Sequence, residues 1–202
     1  MANARFSIAP AYYTGSEVTP EVTVTHSGKT LVKDRDFTVT YHNNIEPSSY
    51  YNSPWVGIDG IGNYQGYVTK SFTINRADIS SCTVTLSDES LTYTGSSLRP
   101  TATVKSGDKE LTLNQDYYVS YRNNWDAGTA SAILTGTGNY TGSVTKDFTI
   151  KPLDISRYSA SLSQYSYTSD GTEKCPDVTV TYGDKTLSQT KMEMCLDSIK
   201  EL

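Results

Sequence analysis

The chain has 202 residues, 22 of them acidic and 17 basic for a net charge of −5, with 19% charged and 36% hydrophobic residues. No element concentrates Lys and Arg as a nucleic-acid surface does, and no run approaches the roughly 18 consecutive apolar residues of a membrane-spanning helix. Disordered segments lack aromatic and β-branched residues, whereas this chain carries 16 tyrosines and is dense in Thr and Val, the residues that suit a pleated, half-buried surface.

The opening Met-Ala-Asn-Ala-Arg-Phe has no apolar stretch of signal-peptide type, so a secreted parent would make this an excised piece. From there the text repeats itself. Tyr13-Thr14-Gly15 returns as Tyr93-Thr94-Gly95, and Asn43-Asn44 as Asn123-Asn124, each 80 residues on. Pro20, Pro100 and Pro176 each follow a glycine (Gly15, Gly95, Gly171) by five residues. Gly62-Asn63-Tyr64 returns as Gly138-Asn139-Tyr140 only 76 residues on. The first copy therefore carries four extra residues between its Asn pair and its Gly-Asn-Tyr, within residues 45–55, and insertions belong in surface loops. We divide the chain into a first copy at residues 2–75, a second at 76–151, and an incomplete third at 152–202. The joints, Ala77-Asp78-Ile79-Ser80 and Leu153-Asp154-Ile155-Ser156, are too short for free swivelling.

In the second copy, alternation of apolar and polar residues predicts strands at residues 82–86, 91–93, 100–105, 117–122, 130–135 and 143–150. Tyr117, Val119 and Tyr121 share one face, as do Phe37, Val39 and Tyr41 in the first copy. Ser-Gly, Gly-Asp and Asn-Asn turns separate the strands, and short strands at this spacing indicate an all-β sandwich or barrel. No helix is expected within the repeat. The third copy follows the pattern through Thr186-Leu187 and then departs from it. Met192, Leu196, Ile199 and Leu202 have helical spacing, so residues 188–202 read either as a short helical tail or as a non-native end.

The recurring side chains read as structural. The string Gly136-Thr137-Gly138-Asn139-Tyr140-Thr141-Gly142 has the wrong spacing for a dinucleotide loop and precedes a strand rather than a helix. Its glycines suit a tight corner, and Tyr64 and Tyr140 are expected to form tyrosine corners, their phenols bonding back to the main chain. Asp36 and Asp116 open the central strand in each copy and are expected to bond nearby amides; a calcium role for Asp34 and Asp36 is the lesser alternative. Lys70 and Lys146 each lie on the apolar face of the last strand. A stem that snorkels to solvent accounts for them; the sharper alternative is an isopeptide bond to asparagine. His26 and His42 do not recur, so no catalytic triad is expected. Cys82, Cys175 and Cys195 match no cysteine in another copy and read as unpaired thiols. No cofactor or metal-ligand motif is present.

The residues that differ between copies are the candidates for binding. Trp125, behind Asn123 and Asn124, and the Tyr50, Tyr51 and Trp55 group of the longer connection are aromatic, and exposed aromatics are favoured in protein recognition.

The segments Tyr-Val-Ser-Tyr-Arg-Asn-Asn, Ala-Gly-Thr-Ala, Gly-Thr-Gly-Asn-Tyr-Thr-Gly and Thr-Lys-Asp-Phe-Thr-Ile resemble the tandem immunoglobulin-like repeats of large wall-attached surface proteins of Gram-positive gut clostridia. The resemblance covers both full copies and the start of the third. It implies small immunoglobulin-like β-sandwich modules, with a β-grasp-like surface repeat as the alternative. It also implies an extracellular, non-enzymatic region on the bacterial cell surface, serving as stalk or adhesin. A host glycoprotein, immunoglobulin or mucin is the partner such a region would take; a carbohydrate-binding accessory role is the further alternative. The first copy departs from the pattern with Glu46-Pro47-Ser48-Ser49 where the second has Asp126-Ala127-Gly128-Thr129.

Overall fold

A computed structural model describes residues 4–182 and 185–187. The described chain is all-β, built from several small sheets, and its helical turns are two three-residue 3-10 segments, Ile79–Ser81 and Ile155–Arg157. Residues up to Lys151 form one compact unit and those from Pro152 onward a second.

In the first copy, the antiparallel strands Ala4–Ile8, Val22–His26 and Lys29–Thr30 form one sheet, with Phe6 opposite Val24. Phe37–His42, Trp55–Gly60 and Tyr67–Ser71 form another, with Ile58 between Val39 and Val68. The period of two puts Val24 and Leu31 from the first sheet's side against Phe37, Val56 and Ile58 of the second, and these five make a buried core. A short parallel pair, Ala11–Tyr12 with Ile74–Asn75, closes the copy.

The second copy repeats this plan with two longer strands in its second sheet. Thr83–Leu86, Ala102–Ser106 and Lys109–Glu110 form its first sheet. Its second runs Ser90–Thr92, Ser143–Lys151, Gly128–Gly136, Tyr117–Arg122, the first pair parallel and the rest antiparallel. Two predicted boundaries shift for identifiable reasons. The strand expected from residue 82 starts at Thr83 because the Cys82 amide closes the 3-10 turn on Ile79 O at 3.0 Å. The strand expected from residue 100 starts at Ala102; Pro100 has no N–H to give a ladder, and its carbonyl accepts the Tyr121 hydroxyl at 2.5 Å.

That last bond corrects an expectation. Bonds from a phenol to the main chain are made by Tyr121 to Pro100 O, by Tyr41 to Pro20 O at 2.6 Å and by Tyr117 to Ala102 O at 2.9 Å; among the described residues Tyr140 and Tyr64 make none. Tyr41 and Tyr121 are the inward positions nearest the point where the proline segment crosses the strand end, so their hydroxyls meet its carbonyls. The asparagine pairs finish the same crossing. Asn43 and Asn123 each take φ +54, a left-handed conformation that asparagine tolerates. The next asparagine points inward. Asn44 Nδ2 donates to Val18 O at 3.1 Å while Asn44 O accepts from Val18 N at 2.7 Å; Asn124 does the same with Leu98 at 2.9 and 2.8 Å.

The joint between the two copies is packed. One buried cluster contains Ala11, Tyr13 and Ile74 of the first copy together with Ile79, Val84, Val104, Leu111, Tyr117, Leu134 and Tyr140 of the second. Tyr13 meets Tyr140 edge-on at 5.7 Å between ring centres, an arrangement aromatic quadrupoles favour. Lys109 Nζ donates to Tyr13 Oη at 3.3 Å and lies 5.6 Å from its ring centre. Ala77–Asp78 pairs in parallel with Tyr140–Thr141. Asp78 then caps the 3-10 turn by accepting from Ser80 N at 2.9 Å, which presents Ile79 to the cluster with no exposed surface. The boundary at residues 75–76 thus runs through a core, not a linker.

From Pro152 onward the described strands are Ser159–Leu162, Val178–Tyr182 and Lys185–Leu187, in one antiparallel sheet with Leu162 opposite Val178. The helical tail expected at residues 188–202 lies outside the described residues, as does Cys195.

Candidate functional site

The four extra residues of the first copy can now be placed. In the second copy Gly128 faces Ile150 and Ala130 faces Phe148. In the first, Ser48 takes the place of Gly128: its N–H donates to Ile74 O at 2.9 Å and its Oγ accepts from Ile74 N at 3.0 Å. Pro54 takes the place of Ala130, its carbonyl accepting from Phe72 N at 3.0 Å. Residues 49–53 therefore stand where Thr129 stands alone. They fold into a tight turn closed by Ser49 N to Asn52 O at 2.9 Å and Asn52 N to Ser49 O at 3.3 Å.

Tyr50 and Tyr51 sit at the tip, 93% and 94% exposed, with their rings perpendicular at 5.0 Å. Beneath them the Asn52 side chain fastens the loop. Its Nδ2 reaches Glu46 O at 2.8 Å and Pro47 O and Asn43 O at 3.3 Å each, and Asn43 Nδ2 reaches Ser53 O at 3.4 Å. Two large rings are thus held in water on a backbone with its own hydrogen bonds. Asn52 was not among the residues singled out from the sequence. The signal for it was its place inside the insertion, two residues after Tyr50, where an Asn side chain can bond back to a turn.

The other aromatic candidates separate from this pair. Trp55 opens a strand instead of lying in the loop, half-buried and stacked on His42 at 3.9 Å with 12° between ring planes. Trp125 is 59% exposed on the corresponding connection of the second copy. Asn123 forms the turn beside it, while Asn124 is buried and committed to Leu98, so Asn124 serves the fold and offers nothing to a partner. The Tyr50–Tyr51 loop adjoins the joint through Ser48 and Ile74, and the Trp125 turn is tied to Leu98 through Asn124.

The recurrent polar residues are engaged internally. Asp36 accepts from Val32 N at 2.9 Å and Asp116 from Thr112 N at 2.8 Å. Arg35 hydrogen-bonds the Asp36 carboxylate at 2.8 Å, and this bond, followed by the Val32 amide, holds the Asp36 pKa down to about 2. The Lys70 ammonium is exposed and lies 5.3 Å from the centre of the Phe6 ring. Lys146 is half-buried opposite Ala132. Among the described residues no asparagine side chain hydrogen-bonds either lysine. His26 meets Tyr64 edge-on at 6.2 Å. Cys82 is a free, half-buried thiol whose pKa burial pushes up, and Cys175 is exposed.

No family model, curated protein or solved structure matches the chain.

Proposed function

We propose that this chain is a non-enzymatic, extracellular repeat region of a bacterial cell-surface protein, built of immunoglobulin-like modules, and that the first copy carries its adhesive contact. The observation behind this reading is the Tyr50–Tyr51 pair, almost fully exposed on a loop fastened by Asn52. Tyrosine brings large contact area for two side-chain torsions, and a loop ordered before binding loses less entropy when a partner arrives. The second copy keeps the framework and lacks this loop, as expected where a scaffold is shared and a contact surface is individual. The packed joint supports the companion role of stalk. The partner this surface fits is a host extracellular protein such as a mucin, an immunoglobulin or another glycoprotein.

The test is capture from mucosal secretions on the immobilised full chain, read by mass spectrometry, with Tyr50→Ala/Tyr51→Ala and Trp125→Ala alongside. The double substitution should lose the captured protein while its melting temperature stays that of the parent chain. Equal capture by the parent and the double substitution refutes the assignment of the contact to this loop. Retained binding of the parent to the glycans alone, on an array, would move the contact from protein to carbohydrate.

A further inference from the structure

The Tyr50–Tyr51 loop belongs to the first copy, yet the second copy holds one of its side chains. Asn139 Nδ2 donates to Glu46 Oε2 at 2.7 Å across 93 residues of sequence. Glu46 is the same residue whose carbonyl anchors the Asn52 amide at 2.8 Å. A second tether runs through Ser48, bonded twice to Ile74, and Ile74 is buried in the joint cluster with Tyr13, Ile79 and Tyr140. Both tethers end on the short stretch that leads into the tyrosine pair, and both start from the joint.

We infer that docking of the second copy sets the conformation of the Tyr50–Tyr51 loop, with Asn139 as its positioning residue acting through Glu46. The contact surface of the first copy is complete only when the joint is closed, and a force or partner that opens the joint loosens the loop. The adhesive reading gives this coupling its purpose, but the coupling is measurable without a ligand. The geometry also supplies its own control. Asn63 occupies the matching Gly-Asn-Tyr corner of the first copy, is exposed, and makes no side-chain hydrogen bond to residues 43–53.

The test uses the full chain and two readouts: amide hydrogen exchange over residues 46–53 and 77–79, and the rate of chymotryptic cleavage after Tyr50 and Tyr51. Loss of a charge-assisted hydrogen bond at an exposed site corresponds to about a five-fold change in a local opening equilibrium. Asn139→Ala and Glu46→Ala should each speed exchange and cleavage in the loop by about that factor. Glu46→Gln, whose amide oxygen still accepts from Asn139, should restore most of the protection, and Asn63→Ala should change nothing. Loop exchange within two-fold of the parent in Asn139→Ala overturns the inference, whether or not the joint amides also accelerate. An Asn139→Ala chain with a loosened loop and undiminished capture of the secreted partner leaves the coupling standing and removes the adhesive role of the loop.

Discussion

Ile79 and Ile155 make a paired experiment that the chain itself provides. Each is the first residue of a 3-10 turn, and each turn is capped the same way, with Asp78 accepting from Ser80 N and Asp154 from Ser156 N, both at 2.9 Å. Local conformational costs of substitution therefore match. Their surroundings do not: Ile79 has no exposed surface and Ile155 is 61% exposed. Replacing Ile79 by alanine removes three buried carbons at about 0.8 kcal/mol each, and the cluster around it can close only part of the space. The expected loss is about 3 kcal/mol. Ile155→Ala should stay within about 0.5 kcal/mol. Equilibrium urea unfolding reads both. With a slope of about 2–3 kcal/mol per molar urea, Ile79→Ala should lower the midpoint by about 1 M and Ile155→Ala by less than about 0.3 M. Trp55 and Trp125 report on different copies, so single-tryptophan versions show whether the copies unfold together. Because one core crosses the joint, the two probes should give coincident transitions in the parent chain. Equal midpoint shifts for the two substitutions, or transitions at separate urea concentrations in the parent, would refute a joint that is part of the core.

The remaining expectations are smaller and independent. Tyr121→Phe and Tyr41→Phe each remove the hydroxyl bonded to a proline carbonyl and should each cost about 1 kcal/mol in the same urea assay; no measurable change would show that water replaces the phenol without cost. Gly142 has φ +76, and a Cβ there would overlap Asp78 Oδ1, whereas Gly95 at φ +77 has open space around it. Gly95→Ala should lose the roughly 1–2 kcal/mol of a left-handed non-glycine residue, and Gly142→Ala more than that, because Asp78 must give up its cap on Ser80; equal losses would place the cost in the backbone alone. The Asp36 carboxyl, held down to about 2 by Arg35 and the Val32 amide, contributes stability that is complete above its unfolded pKa, near 4, and lost as pH falls toward 2. Asp78 is lowered in the same direction by the Ser80 amide. Unfolding free energy should therefore decline between pH 4 and 2, less steeply in Asp36→Asn than in the parent; parallel curves would exclude this carboxylate as a source of the acid dependence.

Much of the β architecture was legible because strand alternation is a local property. The strand Tyr117–Arg122 has the limits that its alternating Tyr, Val and Tyr imply, and the offset change from 80 to 76 residues confines the insertion to one connection. Two strand starts moved because a backbone group had another partner, the Cys82 amide in a 3-10 turn and the Pro100 carbonyl on a phenol, while the strands expected at 91–93 and 130–135 run Ser90–Thr92 and Gly128–Gly136. Neither bond leaves a trace in hydrophobic periodicity. Two-residue strands such as Tyr140–Thr141 are set by a neighbour instead of by their own residues, and the periodic pattern passes over them.

The joint was hidden for a deeper reason. Gly62-Asn63-Tyr64 and Gly138-Asn139-Tyr140 are identical text, yet Tyr64 is half-buried beside His26 while Tyr140 is 1% exposed against Tyr13. A repeat carries the same residues wherever it stands, and burial depends on which copy is set against it. Asn139 shows the same thing for the contact loop. Read within its own copy it is a corner residue; only with the first copy docked does its amide meet Glu46 and hold the base of the tyrosine turn. Residues that act between repeats are written in the text of one and take their meaning from the surface of the other, so no reading confined to a single copy reaches them.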